Sequence, residues 1–315
     1  MKNEKLTKRR CPLIFHFSFF TFHFPDPRPQ TLDPLNLLPK ILLVCTLILL
    51  LACSACSRGP HYVFAVVGDL QQPGARPYRA ATYEIARRLA AGDARLVVIV
   101  GDLIDGASPA QWDEFDRLVK PIRDAGKEIY AVIGNHDNAS PETAAGFEAR
   151  FPRRQVIHQP GLALVMLDSE AQSGDRDWSL GDEQTAWLRT KPWSTGATEA
   201  HPLLFFFVHR PPHRSKFFAE LDPQQRFLPE KADLARLLVD SGADAVFSGH
   251  EHLYSRRKFD DVDFIISGGG GGDLLKGAYH YLLITVYPEA RKWKLKKVNV
   301  EAGQTVYAQR PSGRE

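Results

Sequence analysis

The sequence predicts an α/β protein in which two packed sheets are flanked by helices. From Tyr62 onward, short runs of β-branched and aromatic residues alternate with helix-length amphipathic segments. After His252 no helical pattern follows, and the late runs are expected to be strands that build part of a second sheet. The composition is 44% hydrophobic and 24% charged, which excludes a disordered chain, a collagen and a polytopic membrane protein.

The individual elements follow from these runs. Before His252 the predicted strands are Tyr62–Val67, Leu96–Val100, Glu128–Ile133, Leu162–Leu167, Leu203–Val208 and Ala245–Phe247. The predicted helices are Tyr78–Ala91, Gln111–Ala125, Asp182–Arg189 and Ala232–Ser241. The predicted late strands are Phe264–Ile266, Tyr281–Tyr287 and Lys292–Val300. Because no repeat or linker interrupts residues 60–315, we expect one domain of about 250 residues there.

Residues 1–59 are expected to be an N-terminal extension with a lipoprotein-type signal segment. Ile41–Ala52 is apolar apart from Thr46, and it is shorter than the ~20 residues that a spanning helix needs. It ends in Leu50-Leu51-Ala52-Cys53, which resembles the bacterial lipobox, so Cys53 is the expected lipid attachment site. Residues 1–39 fit neither a signal start nor a folded domain, so translation is expected to begin near Leu37.

This segment predicts a membrane partner and a location in the cell envelope. We expect an exported, lipid-anchored protein on the periplasmic or outer face, or a secreted one if the signal is simply cleaved. All four cysteines precede Arg58, so residues 60–315 offer neither a disulfide nor a thiolate. From Pro60 onward there are 32 basic and 34 acidic residues, and this balance gives no reason to expect nucleic-acid binding.

Polar, metal-competent residues follow most of the predicted strands. The spacing from Asp69 to Asp102, and from Asp102 to Asn135, is 33 residues, about one strand–helix–strand unit. Successive parallel strands would therefore present these groups along one sheet edge, and glycines before them would permit the backbone turns that aim them inward. His250 and His252 share one face of an extended segment, which is a metal-site signal. The full series is Asp69, Asp102, Asn135, His209, His250 and His252.

The order Gly-Asp, Gly-Asp, Gly-Asn-His-Asp, His and Gly-His-Glu-His closely resembles the calcineurin-like metallophosphoesterases, over nearly all of residues 62–287. Leu167-Asp168-Ser169, Glu183-Gln184 and Trp187-Leu188 agree with this resemblance, and Gly249 to Arg256 is similar to the purple-acid-phosphatase-like and phosphodiesterase-like branches. The resemblance implies a four-layer α/β/β/α sandwich. It also implies a metal-dependent hydrolase of small phosphomonoesters or phosphodiesters.

Carried over by residue, the resemblance implies two divalent metal ions bridged by Asp102, with a hydroxide between them as the nucleophile. One ion would also be bound by Asp69 and His252. The remaining ligands, which would bind the other ion, are Asn135, His209 and His250.

The resemblance also assigns roles in catalysis. His136 would be the general acid that protonates the leaving oxygen. Asp137 is expected to orient or polarise that imidazole, or alternatively to cap a helix. Arg210 and His213, in a basic, proline-stiffened loop, are expected either to hold the phosphate or leaving group or to form a solvated rim.

The first motif departs from the family pattern at Gln71, where many members have a histidine. Gln71 either coordinates through its amide oxygen, as in a related diphosphatase branch, or leaves the first site one ligand short. Asp105 stands where purple acid phosphatases supply a tyrosine, so no tyrosinate-bound ferric site is expected. An oxygen-richer site favours Mn²⁺ or Fe²⁺, with Zn²⁺ as the alternative.

The departure at Gln71 leaves two other functions open. Gln71 suggests a nucleotide-type diphosphatase acting on nucleotide-sugar or nucleotide-alcohol pyrophosphates. An impaired first site would suggest a catalytically weak, envelope-anchored binding module. Gly268–Gly272 lacks the Lys-Ser/Thr of a P-loop and is expected to let the chain pass close to the site, while Trp112, Phe115 and Leu118 are expected to be core.

Overall fold

The computed structural model describes residues 61–301, apart from 72–73, 75–77, 174–177, 195–201, 214 and 216–231. The described residues lie in one compact unit, residues 58–315. The predicted signal segment, with Cys53, lies outside the described residues. Among the described residues, no helix has the length and apolar character needed to span a membrane.

Thirteen strands and five α-helices are found within the described residues. The strands are β1 (Tyr62–Val67), β2 (Ala94–Val100), β3 (Glu128–Val132), β4 (Gln155–Gln159), β5 (Leu162–Met166), β6 (Gln172–Ser173), β7 (Trp178–Ser179), β8 (Leu203–Phe207), β9 (Ala245–Ser248), β10 (Tyr254–Phe259), β11 (Val262–Ser267), β12 (Tyr279–Tyr287) and β13 (Lys292–Val300). The helices are α1 (Ala80–Ala91), α2 (Gln111–Asp124), α3 (Pro141–Glu148), α4 (Gly181–Arg189) and α5 (Ala232–Asp240). A 3₁₀ turn covers Pro192–Ser194.

The strands form two large sheets and one short hairpin. The first sheet has the order β13–β12–β1–β2–β3, in which β1, β2 and β3 are parallel and β12 is antiparallel to both of its neighbours, β1 and β13. The second has the order β10–β11–β9–β8–β5–β4, parallel except for its edge strands β10 and β4. Strands β6 and β7 pair only with each other.

Three hydrophobic clusters show how the layers stack. Alternation along β1 sends Ala65 and Val67 into a cluster with α1 and α2, and it sends Phe64 and Val66 into a cluster shared by the two sheets. The second sheet buries its other face against α4, α5 and the 3₁₀ turn, in a cluster that includes Phe206. Three apolar interfaces require four layers, so the predicted α/β/β/α arrangement is confirmed.

The late strands divide between the sheets. Strand β11 joins the second sheet, as expected, together with β10, whereas β12 and β13 return to the first sheet beside β1. The predicted core stripe of α2 is confirmed, because Trp112, Phe115 and Leu118 are all buried. The sequence interpretation had no element at α3, β4 or β10.

Candidate metal centre

The predicted ligands lie together at the carboxyl ends of β1, β2, β3, β8 and β9. Backbone hydrogen bonds join the loops that carry them: the Asp69 amide donates to Gly101 O (3.0 Å), and the Gly249 amide donates to His209 O (3.0 Å). Successive parallel strands place their ends side by side, so residues far apart in the chain converge at this edge.

Three of the candidate ligands adopt left-handed backbone, which is costly for a residue with a Cβ atom. Their φ angles are 58° at Asp69, 53° at Asp102 and 68° at His250. Hydrogen bonds hold this geometry, since the His250 amide donates to both Asp69 carboxylate oxygens at 2.9 and 3.1 Å. The sharp turns that aim these side chains are therefore made by the ligand candidates themselves.

The preceding glycines mostly serve a different purpose from the expected one. Four glycines directly precede ligand candidates: Gly68, Gly101, Gly134 and Gly249. Among them, only Gly101 has a positive φ (88°). At Gly134 an added Cβ would lie 2.2 Å from Asp102 Oδ1, and at Gly249 it would lie 2.5 Å from Asp69 Oδ2. The expectation that glycines turn the backbone is thus corrected: close approach of the carboxylates excludes a side chain at these positions.

One group of contacts joins Asp102, Asn135, His209 and His250. Asn135 Oδ1 lies 3.0 Å from His209 Nε2 and 2.8 Å from His250 Nδ1, and His209 Nε2 lies 3.4 Å from Asp102 Oδ1. His209 Nδ1 lies 2.9 Å from Val100 O and must donate to it, which leaves Nε2 to face the group.

A second group joins Asp69, Gln71, Asp102 and His252. Gln71 Nε2 lies 3.0 Å from Asp102 Oδ2 and 3.3 Å from His252 Nε2, while His252 Nε2 lies 3.5 Å from Asp69 Oδ1. His252 Nδ1 lies 2.9 Å from Asp273 O, so its Nε2 also faces inward. The Asp102 carboxylate belongs to both groups, one oxygen to each.

The chemistry of these side chains fits a divalent cation. Asp69 and Asp102 are buried, and among the described residues neither forms an ion pair with a lysine or arginine. One oxygen or nitrogen from each of Asp69, Asp102 and His209 lies within 4.8 Å of the others. Gln71 Oε1 is buried and has no hydrogen-bond partner in the described part of the chain. Buried carboxylates and an unpaired amide are costly unless a cation neutralises them.

The pKa values reflect the same crowding of charge. Burial lowers the pKa of His209, but the facing Asp102 carboxylate outweighs it and raises that pKa to about 10. Burial likewise opposes charge on His252, and Asp69 raises its pKa to about 9. Burial and the nearby His209 lower the pKa of His250 to about 3. Protons on His209 and His252 thus supply the positive charge that a metal ion would replace.

His136 lies at the rim of this cluster with its side chain 39% exposed. Its backbone amide donates to Asp102 Oδ1 (3.0 Å), which ties it to the carboxylate shared by both groups. Its Nδ1 lies 2.9 Å from the backbone oxygen of Asp105 and 3.6 Å from the Asp105 carboxylate. With Nδ1 engaged, Nε2 is the nitrogen available to a substrate.

The sequence interpretation missed Asp105 as the partner of His136. It treated this position only as the place where a tyrosine is absent. The spacing Asp102-x-x-Asp105, just after a strand, was the available signal, because it returns a second carboxylate to the same loop.

Asp137 was expected to orient or polarise His136, and the structure corrects this. One carboxylate oxygen accepts from the amides of Leu103 (2.9 Å) and Ile104 (3.1 Å), and the other accepts from the Gly134 amide (2.9 Å). Asp137 therefore fastens the loop after β2 to the loop after β3. It is completely buried, and burial together with the nearby Asp102 charge raises its pKa to about 8.

The expected substrate residues are also buried rather than displayed on a rim. The Arg210 guanidinium donates to both Glu170 oxygens, at 2.8 and 3.1 Å. His213 is 1% exposed, and its ring packs edge-on against Phe259 and Phe264. A substrate role for His213 is thus contradicted by its position. Arg210 is held in an ion pair.

The glycine run lies where it was expected, against the cluster. A Cβ at Gly272 would lie 2.4 Å from the His252 ring, and one at Gly268 would lie 2.8 Å from Asp69 Oδ2. Because glycine has no side chain, this segment can pack directly against the second group of side chains.

The chain is similar to known phosphoesterases. The calcineurin-like phosphoesterase family model matches residues 62–254. A cAMP/cGMP dual specificity phosphodiesterase of Mycobacterium tuberculosis is 26% identical over 211 residues, 61% of this chain and 63% of that protein. A purple acid phosphatase of Arabidopsis thaliana is 27% identical over 218 residues, 62% of this chain and 45% of that protein. The matches therefore span less than two thirds of these relatives.

Solved structures share the fold. A purple acid phosphatase from yellow lupin (Lupinus luteus) seeds superposes with a TM-score of 0.61 at 17% identity, over 77% of this chain and 52% of that one. A dimetal phosphatase from Danio rerio superposes with a TM-score of 0.52 at 15% identity, over 76% of this chain and 99% of that one.

Proposed function

Because the chain belongs to the calcineurin-like phosphoesterase family, we propose that it hydrolyses phosphomonoesters or phosphodiesters at a two-metal centre. The observation that supports this most strongly is the position of Asp102. One of its carboxylate oxygens faces His209, and the other faces Gln71. A carboxylate shared in this way suits two cations side by side.

The proposed ligands divide between the two groups already described. Asp69, Gln71 and His252 would hold one ion, and Asn135, His209 and His250 the other, with Asp102 common to both. Two divalent ions, when bound, lower the pKa of a coordinated water toward ~7 and neutralise charge on phosphate oxygens. Four oxygen-donating residues favour Mn²⁺ or Fe²⁺ over Zn²⁺.

His136 is the proposed general acid. It is the exposed imidazole beside the buried cluster, and Asp105 fixes its Nδ1 so that Nε2 can donate a proton to the leaving oxygen. The bond from the His136 backbone amide to Asp102 positions the His136 main chain beside the shared carboxylate.

Gln71 supports a second candidate function, hydrolysis of nucleotide-type pyrophosphates. Its Nε2 contacts both Asp102 and His252, and its Oε1 is buried without a hydrogen-bond partner among the described residues, which supports a ligand role for that oxygen. We also propose that the enzyme acts in the cell envelope, exported by residues 1–59 and held at the membrane through Cys53.

The test is hydrolysis by metal-stripped protein after adding Mn²⁺, Fe²⁺ or Zn²⁺. Substrates would be p-nitrophenyl phosphate, its bis ester and a nucleotide-sugar pyrophosphate. Asp102→Asn should abolish turnover, because the shared carboxylate loses its charge and keeps its shape. The matched control, Asp124→Asn, removes an exposed carboxylate paired with Lys120 and should be as active as the wild type.

Each outcome discriminates between functions. Turnover of the simple esters supports an ester hydrolase, and turnover of the pyrophosphate alone supports the diphosphatase. Full activity of Asp102→Asn would exclude the two-metal mechanism. No turnover of any substrate by a protein that binds metal would favour a binding module.

A further inference from the structure

The ribbon formed by β12 and β13 is strongly cationic. Between Tyr279 and Val300 the sequence contains five lysines and arginines but a single acid, Glu289. This contrasts with residues 60–315 as a whole, where acids outnumber bases by two. The positive charge is therefore local to this edge of the first sheet.

Three of these lysines share one face. Lys292, Lys294 and Lys296 are exposed and alternate with Trp293 and Leu295, which pack against the cluster between the sheets. Side chains two residues apart on a strand point the same way, so the three ammonium groups lie on the outer face of the sheet. We call this set the lysine face.

The lysine face is not neutralised by neighbouring acids. None of the three lysines forms an ion pair with an acid in the described part of the chain. The Lys294 ammonium lies 5.5 Å from the centre of the Tyr287 ring, and Tyr287 stacks on His61 at 5.6 Å. Tyrosine beside unpaired lysines is an amphipathic combination suited to a membrane–water interface.

The chain enters the domain beside this face. Tyr62 pairs with Val286, one residue before Tyr287, so the amino end of β1 meets the β12–β13 turn. Cys53 precedes His61 by eight residues, and eight extended residues span at most ~29 Å. A chain anchored in that segment would keep the lysine face close to the bilayer.

We propose that the lysine face docks the domain on an anionic lipid surface. The lysine face runs along edge strand β13, where Lys292 is in register with Tyr287 and Lys296 with Leu283, and β12 separates it from β1. The lysine side chains project from the face of the sheet, whereas the candidate metal centre lies beyond the ends of its parallel strands, so the proposed docking surface is distinct from the metal centre.

Edge-strand lysines can also hinder sheet-to-sheet aggregation, and the test must separate the two roles. Residues 58–315 serve as the test protein, because all three hydrophobic clusters lie within 62–300 and the segment is one compact unit. The assay is co-sedimentation with phosphatidylcholine vesicles, with and without phosphatidylglycerol, at low and high salt. Thermal melting of each variant confirms that it is folded.

The test variant is the triple substitution Lys292→Gln, Lys294→Gln and Lys296→Gln. Since each lysine near an anionic surface strengthens binding about fivefold, the variant should bind phosphatidylglycerol vesicles about a hundredfold more weakly. The control variant carries Arg189→Gln, Lys191→Gln and Arg236→Gln. It removes the same charge from the helical layer over the other sheet and should bind like the wild type.

Four results would overturn the proposal. The wild type could bind neutral and anionic vesicles equally, or both triple variants could lose the same affinity, which would make net charge the cause. The lysine variant could aggregate while binding vesicles normally, which would assign the lysines to edge protection. Tighter wild-type binding to a duplex oligonucleotide than to vesicles of equal phosphate concentration would point to nucleic acid instead.

Discussion

At the scale of single residues, Asp102 connects the two halves of the candidate metal centre. It is 1% exposed, and its two oxygens contact different groups of side chains. Burial opposes its charge, but His209 and His136 hold its pKa below the usual range, so it stays ionised. A buried negative charge that forms no ion pair with a lysine or arginine in the described chain is the strongest single reason to place cations here.

Asp105 is expected to act through His136. Asp105→Asn keeps the backbone bond to Nδ1 and removes the facing charge, so the cationic form of the imidazole, which donates the proton, loses its electrostatic partner. Hydrolysis of alkyl phosphates should fall at least ~10-fold, since general-acid catalysis contributes ~10²–10⁴-fold. Hydrolysis of nitrophenyl esters, whose leaving group needs no proton, should change little. Equal losses on both substrates would indicate a structural role for Asp105 instead.

His213 should make the protein sensitive to acid. It is buried, and burial lowers its pKa to about 3, from 6.5. Both ring nitrogens have no hydrogen-bond partner among the described residues. Because the unfolded chain takes up a proton here first, stability falls as the pH drops from 6.5 toward 3. His213→Leu should therefore lose less stability than the wild type between pH 7 and pH 4 in thermal melts. Parallel curves for the two proteins would contradict this.

At the scale of elements, the turns after the strands determine the site. At the end of β2, Gly101 has a φ of 88° and packs directly against the His209 ring. A Cβ atom there would lie 2.3 Å from His209 Nδ1, so no side chain fits. The backbone bonds between the turns then fix Asp69 relative to Asp102. Each ligand candidate is positioned by its neighbour's loop as well as by its own.

A matched glycine pair tests this arrangement. Gly101→Ala should displace His209 and lower metal affinity at least ~10-fold, as changes that disturb ligand orientation do. Gly242→Ala imposes the same strain, because φ there is 87°, but its Cβ would meet nothing within 4 Å. Its metal affinity should equal that of the wild type in calorimetric titrations. Similar losses in both variants would mean that backbone strain alone matters.

The sequence predicted the buried elements well and the edge elements poorly. Strands such as β8 are continuous apolar runs, so their pattern is unambiguous. Edge strand β10 (YSRRKF) is largely polar, because only one face needs burial, and it was not recognised. Helix α3 has only eight residues, too few for a clear helical period, although its Ser140–Thr143 capping box and Pro141 are typical of a helix start.

For the site, sequence order predicted which residues meet but not how they bond. The ligand candidates follow strand ends, and parallel topology brings strand ends together whatever the side chains do. The partners of Asp137 and His213 depend on how loops pack in three dimensions. No local pattern encodes that packing.

At the scale of the whole molecule, two sheets and two helical layers form a scaffold with distinct edges. The carboxyl edge of the first sheet holds the candidate metal centre, and its edge strand β13 carries the lysine face. Metal removal should lower the melting temperature of the wild type, since binding at ~100-fold above Kd stabilises by ~2.7 kcal/mol. For a domain of this size that corresponds to about 5–10 °C. A chelator should lower the melting temperature of Asp102→Asn by less, because the variant binds fewer ions, and an equal decrease in both proteins would contradict the account.

The most direct test of the two-metal centre is the number of metal ions bound per chain. We would measure it by elemental analysis of residues 58–315 after metal loading and removal of free ion, in the wild type and in Asp102→Asn. The account predicts two ions per wild-type chain and fewer in the variant, because both groups share Asp102. One ion or none in the wild type, or two in both proteins, would contradict it.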